Sequence, residues 1–173
     1  MREIVFRAKT TSKHRSDFDN IWVEGNLIRS GEKYYIHPDG NRVSVKGELG
    51  KLIIMHEVLP ETICQKTGMH DATRWEQLSK AEQRQFLLQW NYEESRMNQL
   101  EDWKGRGIWE NDILVAHLDE SYPEDETYSQ AIWHKNGWYT KEKNSSDYSP
   151  LEKFDEENFV IAGNIFDNPE LMR

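Results

Sequence analysis

The chain has a single cysteine among 173 residues, Cys64, so an intrachain disulfide is excluded and a reducing compartment is expected. It has no apolar run near the 18 residues a membrane helix needs, and Met1–Thr10 lacks the apolar core of a secretory leader. Neither a membrane span nor a leader is expected, and the expected location is the cytoplasm. Hydrophobic residues are scarce at 36% and charged ones make up 31%. Such a composition drifts toward disorder unless large side chains compensate. Seven Trp, seven Tyr and six Phe do so, since each aromatic buries about 150–250 Å². A length of 173 residues suits one ordinary domain or two small subdomains.

Positive charge is short, and the shortage is uneven. Residues 1–59 carry 10 Lys and Arg against 8 Asp and Glu, whereas residues 119–173 carry 5 against 13. The acidic C-terminal third repels phosphate backbones and reads as a solvated acidic surface, as a surface for a basic partner, or as a mimic of DNA charge. Nucleic acid is therefore disfavoured as a partner. The alternative function, a nucleic-acid-associated regulator, would have to use the first 59 residues.

Chemistry-bearing motifs are also missing. Six histidines never fall at metal-ligand spacing, and Cys64 has no cysteine partner, so no metal is expected. Gly105 and Gly107 follow a helical stretch rather than precede one, so they make no phosphate loop, and no cofactor is expected. Glu110 and Asp112 flank a tight turn at Asn111 and read as turn formers, because no nucleophile or histidine sits at a fixed offset from them. No catalytic residue is assigned, and the chain is expected not to be an enzyme.

The dominant pattern is period two. Ile4, Phe6 and Ala8 alternate with Glu3, Val5 and Arg7 as a first strand. Asn20–Ser30 reads as one strand broken or bent near Gly25–Asn26. Tyr34–Ile36 and Arg42–Lys46 read as a hairpin around His37-Pro38-Asp39-Gly40-Asn41, and Lys51–Val58 as a buried strand. Thr73 with Glu76, and Ser79 with Glu82, both fit the capping box. Lys80–Trp103, free of Gly and Pro, predicts one long helix with Phe86, Trp90, Met97 and Leu100 on one stripe, a packing face that covers a sheet edge or serves self-association or a partner. Beyond it, Ile108–Leu118, Tyr128–His134, Trp138–Lys141 and Phe159–Phe166 return to strands. Asn136-Gly137 marks a hairpin, and Gly163-Asn164 marks a bulge or close approach. Trp133, Trp138 and Tyr139 flank that hairpin, close to Trp109 in the expected barrel, and read either as hydrophobic core or as an exposed aromatic groove for a peptide or base, a peptide with basic residues being the better fit.

Several blocks in this order resemble the YopX-like proteins. Arg2–Ala8 resembles the family's opening strand, with Lys9 where the family usually has Trp. Val58-Leu59-Pro60-Glu61-Thr62-Ile63-Cys64-Gln65-Lys66-Thr67-Gly68-Met69 resembles its central signature, with Cys64 and Lys66 at positions usually Gly and Tyr. Ile108-Trp109-Glu110-Asn111-Asp112-Ile113 resembles its Ile-Tyr-Glu-Gly-Asp-Ile segment, and Val160–Leu171 its closing motif. The resemblance implies coding by phages or prophages of low-GC Gram-positive bacteria, first and last strands that share one unit, and no established activity. The resulting expectation is a mainly β chain. It has an N-terminal β subdomain (1–70), a helical insertion (71–104) and a C-terminal SH3-like small barrel (105–173). The expected function is that of a non-enzymatic phage or prophage accessory protein acting through protein–protein contact.

Overall fold

Alternating residues become antiparallel sheets throughout the computed structural model, which describes residues 4–11, 21–38, 42–43, 52–53, 55–89, 103–117, 126–152 and 158–173. The chain is mainly β and divides into two units, Met1–Lys66 and Thr67–Arg173.

In the first unit, strands β1 (Phe6–Lys9), β2 (Trp22–Ser30), β3 (Lys33–His37) and β6 (His56–Val58) lie in the order β6-β3-β2-β1. Strand β2 runs unbroken through Gly25, whose φ of +152° and contact with the His37 carbonyl leave no room for a side chain. The hairpin partner of β3 is β2, across a two-residue turn at Gly31–Glu32, and not the segment after Asn41. Instead, β4 (Arg42–Val43) pairs with β5 (Leu52–Ile53), and β3 takes β6 as its second neighbour. The predicted Lys51–Val58 strand is therefore two strands, parted at the exposed Met55. Residues 39–41 and 44–46, the rest of the expected hairpin, lie outside the described residues. Ala8, Ile36 and Val58 form the core, with Phe6, Val23, Leu27, Tyr34 and Ile63 around them. β7 (Cys64–His70) pairs its first residues with β1, and the Cys64 thiol is buried beside the Thr62 carbonyl at 3.3 Å.

In the second unit, β7 neighbours β8 (Gly107–Trp109), and the Thr67 hydroxyl donates to the Ile108 carbonyl at 2.7 Å. A second sheet has the order β12-β11-β10-β9-β13, built from β9 (Asp112–His117), β10 (Glu126–His134), β11 (Gly137–Glu142), β12 (Tyr148–Pro150) and β13 (Phe159–Asn164). A register shift between Ile161 and Gly163 is the bulge expected at Gly163–Asn164. The sheet is open. The expected SH3-like closure is absent among the described residues, for a local reason. On β13, the Phe159 carbonyl accepts from the Ala72 amide and the Ile161 amide donates to the Asp71 carboxylate, so that edge is already occupied. At the far edge, β12 is only three residues long. β1 and β13, expected to share one unit, stand in different sheets.

The helix begins where the Lys80–Trp103 reading places it. Among the described residues α1 spans Lys80–Gln89, and Trp103, the last residue of that reading, is not helical; its indole N–H donates to the Thr73 carbonyl at 2.7 Å. Residues 90–102 lie outside the described set. The Ser79–Glu82 capping box forms, with Ser79 N–H donating to Glu82 Oε2 at 2.9 Å and Glu82 N–H to Ser79 Oγ at 3.3 Å. The Thr73–Glu76 box does not form. Thr73 donates its hydroxyl to Asp71 instead, and the 3₁₀ turn Trp75–Gln77 is closed by Gln77 Oε1 accepting from Arg74 N–H.

Candidate functional site

The β10–β11 hairpin carries most of the sequence-predicted aromatic residues. Its register pairs His134 with Gly137, so the two loop residues are Lys135 and Asn136, with Lys135 at φ 54°. The Asn136-Gly137 signal therefore locates the hairpin one residue late. Directly opposed residues share a face, and the register opposes Trp133 to Trp138. Trp138 is buried in the core with Ile108, Leu114, Ala131 and Leu151. Trp133 stands 49% exposed, edge to face on Trp138 with ring centroids 5.0 Å apart. The Trp138 indole N–H is buried and has no hydrogen-bond partner among the described residues.

The other predicted aromatics are elsewhere. Tyr139 opposes Ile132 on the opposite face, in edge contact with His134 at 5.4 Å, and His134 stacks on Tyr148 at 4.2 Å. Trp109 is buried at the end of β8, its amide donating to Asp112 Oδ2 at 2.8 Å. The four predicted binding residues are thus one cross-strand pair, one residue on the reverse face, and one core residue. On the predicted helix stripe, Phe86 packs against Trp75 and Trp103 at 5.7 and 5.0 Å. Trp90, Met97 and Leu100 lie outside the described residues.

The turn after Trp109 is built as the sequence suggests. Asn111 takes φ 69°, its amide donates to the Ala131 carbonyl, and its side chain accepts from Gln130 at 2.8 Å. Asp112 is 1% exposed and closes the turn on Trp109. Asp71, which sequence reasoning passed over, is similarly buried and accepts from Thr73, Arg106 and Ile161.

A second feature went unnoticed in the sequence. Farther along the face that holds Trp138, the sheet opens into a cleft of about 390 Å³, with Ser129, Thr140 and Ser149 among its hydroxyl groups and Glu142 and Asp147 as its carboxylates. Register explains the convergence: Ser129 opposes Glu142, and Thr140 opposes Ser149. The signal was the alternation of Thr127, Ser129 and Ala131, small residues at period two where a core face would be large and apolar. Ala116, Pro150 and Phe159 supply apolar wall.

The perturbed titratable groups lie away from the cleft. Hydrogen bonds from Ser79, and then Arg106 at 2.8 Å, hold the Glu82 carboxyl below its ordinary value. The bond to Glu126, at 2.6 Å, holds the Tyr128 hydroxyl above its own. Among the described residues, no group of three or more His, Cys, Asp and Glu is placed to hold a metal ion, and no helix is long and apolar enough to cross a membrane.

No curated protein matches the chain. The structure is similar to the crystal structure of protein EF1440 from Enterococcus faecalis, at 16% identity over 99% of each chain with a TM-score of 0.48. The family model described as YopX protein matches residues 76–173, which takes in the Asn111 turn, the open sheet and the bulged last strand as well as most of the segment expected to be an insertion. That match covers more than half of the chain, and the chain belongs to the YopX family.

Proposed function

We propose that this chain is a non-enzymatic binding protein, a phage or prophage accessory factor that acts on a protein partner in the host cytoplasm. The observation that carries the reading is Trp133. A tryptophan half exposed at a hairpin tip, yet held edge-on by a buried tryptophan, is a large apolar group fixed in place before any partner arrives. Ordering such a side chain on binding costs little, and tryptophan is among the residues that dominate interface energetics. The acidic C-terminal third supports a basic partner and opposes a phosphate backbone.

The test uses the full chain as bait in host lysate, with Trp133→Ala beside the wild type and capture quantified by mass spectrometry. The reading expects at least one host protein whose recovery falls by about tenfold or more with the variant. Equal recovery of every captured protein, or no capture above a bait-free control, would overturn it.

A further inference from the structure

We infer that the cleft between β10, β11 and β12 is a receptor for a lysine side chain of the partner, with the ammonium group seated among hydroxyls and carboxylates. The inference rests on the protein-binding reading for the source of the lysine, and on independent observations for the site. Ser129 is 5% exposed and lines the cleft, and its hydroxyl has no hydrogen-bond partner among the described residues. The residue is buried while its hydroxyl opens on the cleft, so whatever fills the cleft is its partner.

The charge of the site is also unanswered from within. Glu142 and Asp147 are both exposed at the cleft and make no ion pair among the described residues. Two lysines flank Glu142 in sequence: Lys141 is on the reverse face, with its ammonium 5.8 Å from the Tyr148 ring, and Lys143 makes no ion pair with either carboxylate among the described residues. An anion would meet two carboxylates, and a purely apolar ligand would leave Ser129 unpaired. A primary ammonium has three donors and no acceptor, which matches a site that offers hydroxyl oxygens and carboxylates. Its methylene stem would lie along Phe159 and Pro150 while the head reaches the polar end, the usual way a lysine spans apolar and polar surroundings.

The test is an amide chemical-shift titration of the full chain with three probes: Nα-acetyl-lysine N-methylamide, its norleucine counterpart, and spermidine. The lysine probe is expected to move the amides of Thr127–Ser129 and Thr140–Ser149 saturably, and the norleucine probe to leave them in place. Glu142→Gln with Asp147→Asn should weaken the lysine probe about tenfold, and Ser129→Ala about threefold. Glu142 and Asp147 are surface positions, and unchanged amide spectra elsewhere certify the fold. Any one of three results overturns the inference: norleucine moving the same amides as strongly, the double variant binding lysine as well as the wild type, or cleft amides that respond to spermidine alone or to no probe. Lysine binding here with no Trp133-dependent capture would leave the site standing and remove the protein-binding reading. Trp133-dependent capture with a silent cleft would do the reverse.

Discussion

The Asp71 carboxylate accepts the amide hydrogen of Ile161, 90 residues away along the chain, at 3.1 Å. The same carboxylate accepts from the Thr73 amide and hydroxyl and from the Arg106 amide at 2.7 Å. One buried side chain thereby satisfies donors in three segments and seals the edge of β13. Asp71→Ala strands these donors, and a loss of about 3–5 kcal/mol is expected. Asp71→Asn keeps one carbonyl oxygen and should cost less, about 1–3 kcal/mol. Urea denaturation followed by tryptophan fluorescence measures both. A loss below 1 kcal/mol for the alanine variant, as for a surface site, would show that the hub does not hold the unit together.

Gly105 is the second element of this junction. Its φ is +102°, and a methyl group there would run into the Asp71 carbonyl oxygen. Gly105→Ala meets both a backbone penalty and a backbone clash, neither of which a rotamer change relieves. Its expected cost is about 2–4 kcal/mol. Gly31→Ala is the informative control: φ there is +63°, but no atom lies within 4 Å of the added methyl. Only the conformational part then remains, about 1 kcal/mol. Equal midpoints for the two variants in thermal unfolding would refute the steric argument.

What was legible in the sequence was local. The Ser79–Glu82 cap, the left-handed Asn111 and the bulge near Gly163 each depend on residues within a few positions, and each formed. What failed was partner choice. Nothing within Tyr34–Ile36 says whether its neighbour follows at Arg42 or precedes it at Ile28, and the apolar run Leu52–Val58 hides the break at Met55. Thr73 looks like a helix cap until Asp71 is seen to claim its hydroxyl. The aromatic residues around Asn136 were visible as a group, and alternation along one strand already parts Trp138 from Tyr139 by face, but only the register shows that Trp133 is the residue opposed to Trp138. The cleft stayed hidden because its hydroxyls and carboxylates come from separate strands and loops that read individually as solvated surface.

The Trp133–Trp138 contact can be weighed by a double-mutant cycle. Trp138→Ala empties a core site and should cost about 3–5 kcal/mol, whereas Trp133→Ala removes a half-exposed ring and should cost about 1 kcal/mol or less. The coupling between them is expected near 1 kcal/mol, the usual worth of an edge-to-face pair. Trp138→Phe also discards the buried indole N–H that has no partner among the described residues. Removing an unsatisfied donor offsets part of the lost volume, so this variant should stay within about 2 kcal/mol of wild type in urea. Zero coupling would mean that Trp133 only rests on the core and is not held by it, which would also weaken its role as a preset anchor.

The helix cap makes stability pH-dependent in a defined direction. The Glu82 carboxyl is held below its ordinary 4.5 by the Ser79 hydroxyl and amide, and then by Arg106. A carboxyl with a lowered folded-state value binds its proton more weakly when folded, so its stabilisation is complete above the unfolded value and fades as pH falls through the folded one. Wild-type stability should therefore decline below pH 4.5, and Glu82→Gln should remove that part of the decline. The Glu82 side chain is 44% exposed, so water and salt screen the effect, and a few tenths of a kcal/mol is the expected scale. Ser79→Ala should cost more, about 1 kcal/mol, because the cap itself is lost. Carboxyl-carbon NMR of Glu82 gives the folded value directly. A midpoint at or above 4.5 would mean that the Ser79 bonds do not favour the charged form, and the cap would then act through its hydroxyl alone.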